Sequence, residues 1–163
     1  MNTILMLLPS IDSVLAWGVC ATVLTTTVLE FSQFVGWSRL SMPFLFGTFF
    51  FADRRKAFMW GYVLYALGAW LFSIFYGLLF LSIGGATPVK GTVIGFFHGC
   101  FLVTVFLPSL AYFHPRMATS YDSPDEARML EPPGAFGLNY GWGTPLVTML
   151  SQVLFGLLLG TML

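Results

Sequence analysis

The stretch AFMWGYVLYALGAWLFSIFYGLLFLSI runs from Ala57 to Ile83 without a single charged side chain. A helix rises about 1.5 Å per residue and a hydrocarbon core is about 30 Å thick, so about 20 such residues cross a bilayer. This one stretch is long enough to cross with residues to spare, and it fixes the solvent in which the rest of the chain must fold. Working outward, three more stretches of the same kind appear: Ile11 to Val35, Gly91 to Phe113, and Pro145 to Leu163. Hydrophobic residues make up 57% of the 163 positions, charged residues 9%, and the mean hydropathy is +0.83. Soluble domains carry about 25% charged residues, so a water-soluble fold is excluded. The expected fold is all-α, a transmembrane bundle of four helices forming a single domain over residues 1–163.

The segment after the first span complicates the count. PFLFGTFFF, residues 43–51, is apolar but short. Pro43 and Gly47 argue against an uninterrupted crossing helix, so the segment is expected to be interfacial or re-entrant. Were it to cross, the chain would have five spans and its ends would face opposite sides. Met1 to Leu8 lacks the basic region of a secretory signal and is expected to be retained.

Charge placement predicts orientation, because basic residues are held on the cytoplasmic side. Arg39, Arg54, Arg55 and Lys56 fall in the first connection (36–56), Lys90 near the second, and Arg116 and Arg128 in the third (114–144). Both long connections are therefore expected in the cytoplasm and both termini outside. Seven basic and seven acidic residues cancel, which leaves no electrostatic footprint for nucleic acid. Cys20 and Cys100 lie in apolar stretches and predict neither a disulfide nor a metal site.

The third connection is long, and loops beyond about 12 to 15 residues are usually functional or disordered. Its second half, LEPPGAFGLNYGWGTP, interleaves aromatics with Pro and Gly, as an ordered coil at the membrane surface would, with Tyr140 and Trp142 as interface anchors. Three stretches, MPFLFGTFFFADRRKAFMWGY, HPRMATSYDSP and LEPPGAFGLNYGWGTPLVTML, resemble a family of small four-span bacterial membrane proteins of no assigned activity. That resemblance covers roughly the last three quarters of the chain. It implies a bacterial origin and no activity, and supplies no functional residues; the expected location is the bacterial inner membrane.

Small residues drive helix association in lipid. Gly91, Gly95 and Gly99 recur at a spacing of four in the third span, and Gly156 and Gly160 in the fourth. The two ridges are expected to face each other, with Gly68 and Gly77 of the second span as competitors. Polar residues inside spans mark the candidate sites, since hydrocarbon makes unpaired ones costly. Thr22, Thr26, Glu30 and Gln33 share one face of the first span. Glu30 is expected to pair with Arg39, His114 or Arg116. His98 sits within the glycine ridge, near Ser151 and Gln152 of the fourth span. A His98 to Gln152 hydrogen bond is its simplest role, and axial ligation of a haem or chlorin is the functional alternative.

No nucleophile elbow, zinc-protease motif, phosphate loop or dinucleotide fingerprint occurs. The acidic cluster Asp122, Asp125 and Glu126 lacks the pattern of a metal loop. Nor is there an inverted repeat with paired broken helices; Pro108 is a lone expected kink. The chain is therefore expected to be no enzyme, with no cofactor required. It reads as an accessory or structural subunit of a larger membrane complex, in contact with lipid and other membrane subunits. A small homo-oligomeric carrier or channel lined by Glu30, Gln33, His98 and Gln152 is the alternative.

Overall fold

The computed structural model describes residues 10–118 and 130–163; Asp122, Asp125, Glu126 and Arg128 lie outside them. The chain is an all-α bundle with four helices long and apolar enough to cross a membrane, as in a multi-pass membrane protein. The elements are α1 (Ile11–Phe34), α2 (Met42–Phe50), α3 (Arg54–Ser82), α4 (Pro88–Phe101), α5 (Leu107–Phe113) and α6 (Thr144–Met162). A π-helical turn, Leu102–Phe106, joins α4 to α5 and makes the two one span, Pro88–Phe113.

Local chemistry sets where the helices begin. Ser10, Ser41, Asp53 and Thr87 each accept a hydrogen bond from the backbone N–H three residues on, satisfying one orphan donor of α1, α2, α3 and α4. Asp53 also places a carboxylate at the start of α3, where Arg54, Arg55 and Lys56 would otherwise oppose the helix dipole. At the other end of α3, Lys90 Nζ donates to the carbonyls of Ile83 and Gly85, both at 2.9 Å, and closes the turn into α4.

The apolar segment after the first span does not cross. With nine residues α2 is about 13 Å long, under half the hydrocarbon thickness. It doubles back along the first turns of α3. A Cβ on Gly47 would fall on the Ala57 carbonyl oxygen, and one on Gly61 would fall on that of Pro43, so this hairpin depends on glycine at both points. Phe44 and Phe58 stack at 4.6 Å across it.

Glycine likewise decides how the long helices pair. A Cβ on either Gly91 or Gly156 would fall on the other's carbonyl oxygen, Gly95 backs onto Gln152 backbone, and Gly160 onto Thr87 and Gly91. The third and fourth spans thus meet backbone to backbone, the geometry small residues permit in lipid. Gly77 of α3 faces Val14, and Gly18 of α1 faces Ser73. Helix α1 packs on both α3 and α6, whereas the backbones of α3 and α4 stand apart despite the short turn between them and meet through side chains. The four spans therefore run α3, α1, α6, α4 around the bundle, with a gap between the first and last of these.

Pro108 produces a π turn where a simple kink was expected. Proline has no N–H for the Thr104 carbonyl, and its ring crowds that position. The helix instead closes through Leu107 N–H to Leu102 oxygen, five residues back. Such turns recur at functional sites.

Candidate functional site

The gap between α3 and α4 is a cleft at mid-membrane. Phe72 and His98 lie about 15 Å from the turn joining the two helices, at about 1.5 Å per residue, and their rings stack at 4.5 Å and 20° across it. Behind this pair lies a cavity of about 150 Å³, walled by Phe46, Phe101, Phe106 and Phe155, with Tyr65, Gly68 and Gln152 also on its lining. In front, a groove of about 520 Å³ opens sideways between Phe75, Leu79, Ile94 and Phe97. Phe72, His98 and Phe101 belong to both. Packed clusters close the cleft on either side, one around Tyr76, Phe80, Phe155 and Leu159, the other around Leu40, Leu45, Leu107 and Leu110.

His98 is held from α3. Its Nδ1 lies 3.2 Å from the hydroxyl of Tyr76, a residue 1% exposed. The hydroxyl donates to Nδ1 or accepts from it according to the ring tautomer. Nε2 has no partner among the described residues. Gln152 is buried, lines the same cavity, and likewise finds no hydrogen-bond partner for its side chain among the described residues. The expected His98 to Gln152 bond is therefore replaced by a His98 to Tyr76 bond, and both expected partners are left facing the cavity.

The other polar face takes a different form. Thr22, Thr25 and Thr26 turn their hydroxyls back to carbonyls of their own helix, at 2.7 to 3.1 Å. Glu30 and Gln33 lie at the end of α1, with Glu30 beside Tyr62 and Tyr65 of α3. Glu30 Oε1 and Gln33 Nε2 are buried without a partner in hydrogen-bond geometry. None of the three cations expected to pair with Glu30 does so. Arg39 pairs with Glu131 at 3.2 Å, and Arg116 donates to the Thr48 and Phe49 carbonyls, capping α2. His114 Nε2 lies 3.2 Å from Thr48 Oγ1 and 3.3 Å from Leu45 oxygen, while Arg116 N–H donates to its Nδ1. Burial holds the His114 imidazole below its ordinary value; the Leu45 hydrogen bond opposes this and Arg116 reinforces it.

The third connection is ordered where it is described. Arg39 N–H donates to Tyr140 oxygen at 2.6 Å, Gly143 N–H to Trp37 oxygen at 3.1 Å, and Ser38 and Thr144 hydroxyls meet at 2.8 Å. Tyr140 is not a membrane anchor: it is buried, and its hydroxyl donates to Glu131 oxygen at 2.6 Å. Burial pushes that hydroxyl's pKa up, Glu131 adds to the rise, and Arg39 opposes it. Trp142 is exposed and tilts against Trp37 at 6.2 Å. Both cysteines are free, and among the described residues no cluster of His, Cys, Asp and Glu is arranged to hold a metal.

Sequence reasoning missed Tyr76 and Phe72 as site residues and read Gly68 as a helix-packing glycine, whereas a Cβ there meets nothing within 4 Å and the residue lines the cavity. Tyr76 and Phe72 are four residues apart on one face, and read with His98 they gave a signal; nothing in the sequence said that α3 and α4 would stand apart. The fold and cleft define a multi-pass membrane protein with a lateral, aromatic-lined opening tipped by two unpaired polar groups. No protein-family model, curated protein or solved structure matches the chain.

Proposed function

We propose that this chain is an accessory subunit of a larger bacterial membrane complex, holding a small hydrophobic group at that complex's edge. The observation that carries the reading is the cleft between α3 and α4, which Phe72 and His98 bridge and which otherwise stays open as a cavity and a groove. Helices joined by a turn this short normally pack on each other. Here the opening faces sideways, toward lipid or a neighbouring subunit, whereas a carrier needs access from both aqueous sides. Arg39 and Arg116 in the connections and Arg54, Arg55 and Lys56 in the first turn of α3 lie at one end of the bundle, which supports an inner-membrane orientation with that end in the cytoplasm and both termini outside.

The test is affinity purification from native membranes in mild detergent, with co-purifying proteins identified by mass spectrometry and an absorption spectrum taken on the same sample. A stoichiometric set of other membrane proteins is expected. An isolated, colourless homo-oligomer would overturn the proposal and favour a small carrier. One observation favours a haem- or chlorin-binding variant of the subunit: with Nδ1–H donating to the Tyr76 hydroxyl, the Nε2 lone pair of His98 is free to ligate a metal in the cleft. A visible absorption band lost in His98→Ala is the expected sign of that variant.

A further inference from the structure

We infer that the cleft binds a neutral single-ring amphiphile of the quinone class, its ring in the cavity and its hydrocarbon tail along the groove. The inference rests on reading the cleft as a binding site and adds what it recognises. A cavity of about 150 Å³ is the size that takes one benzene ring. Its walls are aromatic faces, on which a planar ring stacks. The groove between Phe75, Leu79, Ile94 and Phe97 shares Phe72, His98 and Phe101 with the cavity and exposes no polar surface, so it takes a hydrocarbon tail.

The polar atoms choose the headgroup. In the tautomer in which the Tyr76 hydroxyl donates to His98 Nδ1, Nε2 carries the ring hydrogen and, on a residue that lines the cavity, is left without a partner among the described residues. Gln152, 8% exposed, adds an amide that both donates and accepts. A saturated hydrocarbon leaves both groups unpaired in a dry site, at a cost that makes them selective against it. A ring carbonyl accepting from Nε2–H, with a second oxygen on the ring meeting the Gln152 amide, satisfies both. No charged side chain lines the cavity or the groove, so a phosphate or carboxylate headgroup has no counter-ion there.

Gly68 supplies a test independent of these hydrogen bonds. It lines the cavity, and a Cβ built on it meets nothing within 4 Å. Leucine at this position fills the ring site from a helix that tolerates it. The experiment measures binding of a radiolabelled decyl-benzoquinone to the full chain, purified and reconstituted in nanodiscs, with decylcyclohexane as competitor. Saturable binding is expected, about tenfold or more weaker in His98→Phe and in Gln152→Leu. Gly68→Leu should abolish binding with helix content and monodispersity unchanged, and decylcyclohexane should compete at least tenfold less well than the unlabelled quinone. Three results would each overturn the inference: no saturable binding to the native chain, equal competition by the hydrocarbon, or wild-type binding by Gly68→Leu or by both polar variants. Quinone binding without partners on purification would sink only the accessory-subunit reading; partners without quinone binding would sink only this one.

Discussion

Replacing Gly156 by alanine adds one methyl group at the closest approach of two helices, and the structure says what it meets. The new Cβ falls on the Gly91 carbonyl oxygen, with the Gly95 nitrogen also in reach. These are backbone atoms, so no side chain can rotate away; the third and fourth spans must separate or slide. Overpacking of this kind costs about 1–3 kcal/mol. Gly68→Ala is the matched control, since it also puts alanine for glycine in a helix interior but meets nothing within 4 Å. The gain in helix propensity, about 1 kcal/mol, is common to both and cancels in the comparison. Gly156→Ala should therefore be less stable than Gly68→Ala by about 1–3 kcal/mol, roughly 5- to 160-fold in the unfolding equilibrium. Titration with a denaturing detergent, followed by circular dichroism and by steric trapping of the separated spans, measures the difference directly. Equal stability of the two variants would refute the backbone-to-backbone contact and the helix order built on it.

His114 predicts a pH dependence. Its depressed value means that below the ordinary histidine pKa of about 6.5 the unfolded chain binds a proton the folded chain refuses. Stability contributed by neutral His114 is present above that value and is lost as pH falls through the folded one, by at most about 1.4 kcal/mol per pH unit. Detergent denaturation at pH 7.5 and 5 should show the loss, and His114→Gln should flatten it; an unchanged slope would count against the Arg116 N–H to Nδ1 bond. Tyr76→Phe removes the hydroxyl that bonds His98 Nδ1 and should cost about 1–3 kcal/mol, the penalty of leaving that nitrogen unpaired. The same denaturation assay reads it, and a neutral substitution would show that the two rings merely touch.

Much of the architecture was legible because the bilayer imposes a length. A span expected from Gly91 to Phe113 is a span over Pro88–Phe113, and one expected from Ala57 to Ile83 is a helix over Arg54–Ser82. The starts were a few residues late because Asp53 and Thr87 cap helices whose first turns are polar, and hydropathy does not register a capping side chain. What periodicity could not supply was partner choice. Glu30 has three cations in the right connections, yet Arg39 is drawn to Glu131 and the Asn139 carbonyl, and Arg116 to the end of α2. Those acceptors belong to local backbone geometry that only the folded connections create. The π turn follows from Pro108 in retrospect, but a missing N–H alone does not say whether a helix will kink or widen.

The cleft itself follows from two faces of one helix. Gly91, Gly95 and Gly99 line one side of α4 and let α6 approach at backbone distance, which fixes α4 against the fourth span. Helix α6 is in turn packed on α1, and α1 on α3, so the position of α3 is set from the far side of the bundle. The remaining face of α4 carries Phe97 and Phe101, opposite Phe72 and Phe75 of α3. The rings that meet across the gap are those of Phe72 and Tyr76 with His98, where glycines would have let the backbones meet. Lys90, tying the end of α3 to the start of α4, fixes only one end of the pair and leaves the opening to widen toward mid-membrane. Exchanging Phe72 for alanine removes the ring stacked on His98 and should let α3 close on α4, read as a shortened spin-label distance between the two helices; an unchanged distance would show that the ring does not keep the site open.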